Sequence, residues 1–120
     1  MIAANSKHDN VWIISSWSHS TGGYAIAKFD EESSQWKKDS SQPIGSAIFN
    51  NGIAVDPQGN PAYIDTSNNI LWKKSGKWTE LKGCAKRIAF GGDGSLYKGD
   101  CNDEVQKFDR ATEEWTAFSK

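Results

Sequence analysis

Short runs of β-branched and aromatic residues alternate along the chain with clusters of Gly, Asn, Asp and Ser. No stretch repeats apolar residues at the spacing of a helix face, so the pattern reads as strands and turns. Strands are predicted at about 1–5, 10–16, 24–30 and 35–39, then at 51–55, 61–65, 69–74 and 77–82, then at 86–91, 94–99, 104–109 and 113–118. Each set of four forms an antiparallel meander. The predicted class is all-β.

The sets are copies of one unit. Ile53-Ala54-Val55 recurs as Ile88-Ala89-Phe90, an offset of 35, and Gly59 recurs as Gly94 at the same offset. Trp78 recurs as Trp115 at an offset of 37, so the last loop is two residues longer. A divergent copy lies upstream, from Ile2-Ala3-Ala4 through Val11–Ile14 and Ala25–Phe29 to Trp36. The units span about 1–44, 45–83 and 84–120 of a single domain. Repeats of roughly 40 residues with four strands are the signature of a β-propeller. The expectation is three four-stranded antiparallel blades, half of a six-bladed propeller. Three blades cannot close a ring, whereas two such chains can. A homodimer is therefore the first expectation. A piece of a six-bladed chain and a ring completed by another subunit are the alternatives.

Composition narrows the partners. The net charge is -1 and the lysines are scattered, so no basic stripe points to nucleic acid. No apolar run approaches the roughly 18 residues needed to span a bilayer. The opening MIAANSKHDN lacks the pattern of a secretory signal. There are two cysteines. A two-residue turn at Gly92-Asp93 pairs Gly91 with Gly94 and, counted outward, sets Cys84 opposite Cys101. The pair is either a disulfide or two reduced thiols. A disulfide favours a secreted or extracellular setting.

Ile53, Ala54 and Val55, then Asn69, Ile70, Trp72, Lys73, Trp78 and Gly83, form a pattern that resembles tectonin repeats. Ile88, Ala89, Phe90, Gly92, Asp93, Gly94, Tyr97, Phe108 and Trp115 repeat it. The resemblance covers about 45–120 well and 1–44 loosely. The first copy lacks the Asp-Gly turn and carries the insert SSWSHSTGG. The resemblance implies six-bladed propellers, many of which bind carbohydrate, including bacterial surface glycans, while others serve as interaction platforms. It implies binding rather than catalysis.

Candidate ligand residues follow. Trp17, His19 and Tyr24 lie in or beside the insert, and loops on a rigid scaffold concentrate binding residues. Trp72 and Tyr97 complete the candidate glycan-binding set. Trp36, Trp78 and Trp115 close the repeats; they could stack on a sugar face, but their periodicity favours packing between blades. His8, Asp9 and His19 have no zinc-site spacing, and the Asp/Asn-rich segments 56–60 and 65–69 read as turns, so no metal and no cofactor is expected. No catalytic constellation stands out. The function expected is multivalent, lectin-like glycan binding without enzymatic activity, with a protein–protein scaffold as the alternative.

Overall fold

The computed structural model describes residues 2–4, 11–47 and 52–118. Among them there is no helix, and twelve strands form three four-stranded antiparallel sheets in sequential order. The first sheet is β1 (Ile2–Ala4), β2 (Val11–Ser18), β3 (Tyr24–Asp30) and β4 (Gln35–Lys38). The second is β5 (Ile53–Val55), β6 (Pro61–Ile64), β7 (Ile70–Lys74) and β8 (Lys77–Leu81). The third is β9 (Ala85–Phe90), β10 (Leu96–Asp100), β11 (Val105–Asp109) and β12 (Glu114–Ala117). The predicted strand ends at 1, 5, 10 and 51 lie outside the described residues, as do His8 and Asp9.

The ladders make the repeat exact enough to transfer positions between sheets. One row runs Ala3, Trp12, Lys28, Lys37 in the first sheet. It corresponds to Ala54, Ala62, Trp72, Thr79 in the second and Ala89, Tyr97, Lys107, Thr116 in the third. Side chains alternate faces along a strand, so each row belongs to one face.

The sheets stack face to face. Trp12, Ile14 and Ile26 of the first bury against Ile53, Val55, Tyr63 and Leu71 of the second. The opposite face of the second, with Ala62, Ile64, Ile70 and Trp72, buries against Ala85, Ile88 and Leu96 of the third, backed by Phe90, Phe108 and Trp115. The edge strand β5 touches both β1 and β9. The second sheet is thus covered on both sides, and β6 is buried at all four positions. That explains why Pro61–Ile64 shows no polar alternation: a strand covered twice gains from apolar residues on both faces. The outer sheets each keep one open face. On the first it carries the half-buried Val11, Ile13, Phe29 and Trp36. On the third it carries Tyr97, with Val105 48% and Phe118 50% exposed.

The β9–β10 hairpin departs from the predicted two-residue turn. Gly91 N–H donates to the Ser95 carbonyl at 2.8 Å, and Gly94 N–H to the Gly91 carbonyl at 2.9 Å. The connection is therefore three residues, closed by Gly94 at φ +89°, as three-residue hairpin loops require. Leu96 then pairs with Phe90, one step off the predicted register. A bulge between Gly99 and Asp100 restores it, so that Asp100 pairs with Ala85. Cys84 and Cys101 follow directly and form a disulfide with Cα atoms 5.6 Å apart.

The segment SSWSHSTGG is not a long loop. Ser15–Ser18 continue β2, and a register shift between Ile14 and Ser18 absorbs the extra residues. Ser15 explains the bulge: its Oγ donates to the Ala25 carbonyl at 2.7 Å and accepts from Trp17 N–H at 3.1 Å. Only 19–23 turn, closed by His19 N–H on the Gly23 carbonyl at 3.0 Å.

Candidate functional site

The structure does not bring Trp17, His19 and Tyr24 together into a pocket. Trp17 is 42% exposed on a strand, with Lys38 Nζ 5.5 Å from its ring. His19 is tied inward. Its Nε2 donates to the Gln42 carbonyl at 3.0 Å, which leaves Nδ1 to accept from Thr21 N–H at 3.2 Å and from the Thr21 hydroxyl at 2.9 Å. Nε2 thus ties the turn to the 39–47 connection, while Nδ1 braces the turn internally. Tyr24 packs onto the first inter-sheet core, and its backbone bonds Ser46 in both directions.

Trp72 lies buried between the second and third sheets, at the back of the groove that opens between them. It is 2% exposed, and its Nε1–H donates to Asp56 Oδ2 at 3.1 Å. The physical reason is its place on the covered second sheet, where a large ring fills the gap to the third. Tyr97 stands half-buried on the third sheet's open face, edge-on to Phe118 at 5.2 Å. It lines an apolar hollow of about 330 Å³ with Ala89, Gly99 and Val105.

A second hollow is of mixed chemistry. A groove of about 360 Å³ opens between the second and third sheets. Phe108 and Trp115 give it an aromatic wall, their rings 5.2 Å apart. Lys74, Glu80, Arg110 and Glu113 give it charged donors and acceptors. Arg110 is held in place by its Nη2 donating to the Gly94 carbonyl at 2.6 Å. Lys74 Nζ and the Arg110 guanidinium carbon lie 4.6 Å and 5.1 Å from the centre of the Trp72 ring. Beneath the wall, Lys98 Nζ sits 4.4 Å from the Trp115 ring. Burial pushes its ammonium below the usual lysine range, while Asp100 pulls it back.

None of Arg110, Lys74 or Trp115 stood out as a ligand residue in the sequence. The signal that pointed there is the two-residue extension of the last loop, which adds Arg110 after Asp109, whereas the second sheet turns at Ser75-Gly76. Among the described residues, no group of three or more His, Cys, Asp or Glu side chains could hold a metal ion. Among the same residues, no helix is long and apolar enough to cross a membrane. The chain matches no family model and no curated protein.

Proposed function

We propose that the three sheets are blades of a β-propeller and that the protein is a non-enzymatic, lectin-like binder of cell-surface or bacterial glycans. The groove between the second and third blades is its ligand site. The observation that carries this reading is the groove's pairing of an aromatic wall with anchored charged groups. The C–H faces of a sugar favour aromatic rings, and its hydroxyls accept hydrogen bonds from Arg110 and Lys74 and donate to Glu80 and Glu113. The resemblance of residues 45–120 to tectonin repeats supports the same reading. A shallow groove binds weakly, and multivalent display of the sites raises avidity.

A glycan array tests this. The protein gives hits that free sugar competes away, and Arg110→Ala loses them. An array that stays silent, or hits that Arg110→Ala leaves unchanged, removes the site. The second reading is a protein–protein scaffold, favoured by the exposed Val105 and Phe118. Silence on the array, together with a protein captured in pull-downs that Val105→Asp releases, supports it.

A further inference from the structure

We infer that the open face of the third sheet is an assembly surface whose occupant is the open face of the first sheet of a second copy of this chain. The inference rests on the propeller reading of the sheets and is independent of any sugar.

The chain already contains this junction in finished form. The third sheet docks on the second through Phe108 and Trp115, a pair with ring centres 5.2 Å apart at 59°. The first sheet presents the same pair at the same ladder position on its open face: Phe29 and Trp36, 5.1 Å apart at 63°. The first sheet thus offers outward the surface that the third uses inward.

The receiving side also corresponds. Where the second sheet offers Ala54, Ala62, Ile64 and Ile70 to the third, the third offers Ala89, Tyr97, Gly99 and Val105. Gly99 in place of Ile64 leaves the hollow of about 330 Å³ in that face, and Val11 and Ile13 of the second copy are available to fill it.

Charge complementarity selects this occupant. At the internal junction Arg110 lies over Trp72. The turn holding Arg110 (Asp109 to Glu114) matches the turn Asp30 to Gln35 residue for residue, with left-handed residues at Glu113 (φ 59°) and Ser34 (φ 56°). Glu31 therefore occupies Arg110's place. In the third sheet Lys107 occupies Trp72's place. The contact between two copies replaces cation on ring by Glu31 on Lys107. Such a head-to-tail contact either closes or propagates. Two copies give six sheets, within the range in which propeller rings close.

Sedimentation equilibrium of the full chain across the micromolar range tests the inference. The expected mass is twice the 13.3 kDa of one chain. Lys107→Glu and Glu31→Lys, both at solvent-accessible positions, each weaken the dimer at least about tenfold while circular dichroism stays unchanged, since each opposes like charges at both junctions. An equimolar mixture of the two variants restores the dimer, because every junction then pairs opposite charges. A wild-type monomer throughout the range overturns the inference, as does a dimer that neither variant weakens or a mixture that does not recover. The inter-sheet groove lies within one chain, so a dimer that binds no glycan defeats the lectin reading alone, and a glycan-binding monomer defeats this one alone.

Discussion

Aspartates close the hairpins. Asp56, Asp65 and Asp100 each begin a three-residue connection and accept two backbone amides through Oδ1, at 2.8–3.0 Å. The residue before each strand resumes is left-handed: Gly59, Asn68 and Asp103. Asp and Asn tolerate that conformation better than most residues. Asp56 also anchors Trp72, so Asp56→Ala leaves buried donors without acceptors and costs about 3 kcal/mol. Asp56→Asn keeps part of the turn and costs about 1 kcal/mol. Urea denaturation measures both.

Asp39 and Tyr63 shift in opposite directions and give stability opposite pH dependences. Burial raises the Asp39 carboxyl, but hydrogen bonds from Ser41 and Lys73 outweigh it and hold the group below its ordinary 3.8. Its contribution is present above that value and is lost as pH falls through the lower folded value. Tyr63 goes the other way. Burial pushes its phenol well above 10.0, so its contribution is complete below pH 10.0 and fades as pH rises beyond. Tyr63→Phe costs about 1 kcal/mol, because the Ile44 carbonyl that accepts the hydroxyl also accepts from Gln42 Nε2. The variant also loses the alkaline decline, which melting temperatures measured between pH 8 and 11 would reveal.

At the scale of the element, the strands were legible in the sequence because short apolar runs between turn clusters have few other readings. The turns were less so. Gly91-Gly92-Asp93-Gly94 fits both a two- and a three-residue connection, and only the bulge at Gly99/Asp100 reconciles the observed turn with the facing cysteines. The insert misled for a related reason: Ser and Gly composition suggests a loop, but Ser15 Oγ holds the segment as a bulged strand. The disulfide spans 17 residues. Replacing both cysteines with Ser costs about 3 kcal/mol, read as a lowered thermal midpoint that reductant no longer shifts. Gly45 lies against the turn at 19–23, where a Cβ would come within 1.7 Å of the Gly22 carbonyl oxygen. Gly45→Ala therefore costs about 3 kcal/mol in the same assay.

At the scale of the molecule, the stack decides which aromatic residues are available. Periodicity marks Trp78 and Trp115 as equivalents, whereas Lys107 stands at Trp72's place in the third sheet; Trp72 and Trp78 meet cores on either side of the same covered sheet. Trp115 lines the inter-sheet groove beside Phe108 and the anchored Arg110, with the buried Trp72 behind them. Strand spacing shows which residues repeat. It does not show which sheet is covered twice, and that is why Trp72 is a candidate ligand residue in sequence and a buried ring in structure. Trp17 is exposed but stands apart from the groove, so Trp17→Ala leaves both stability and glycan binding near the parent's values, measured by urea denaturation and the array.

The most direct test of the site is an NMR titration of the protein with the strongest sugar from the array, following the tryptophan indole N–H signals. The Trp115 signal shifts in proportion to occupancy, with a smaller movement at Trp72 behind it, while Trp17 stays in place. Movement of Trp17 with Trp115 unchanged would contradict the account.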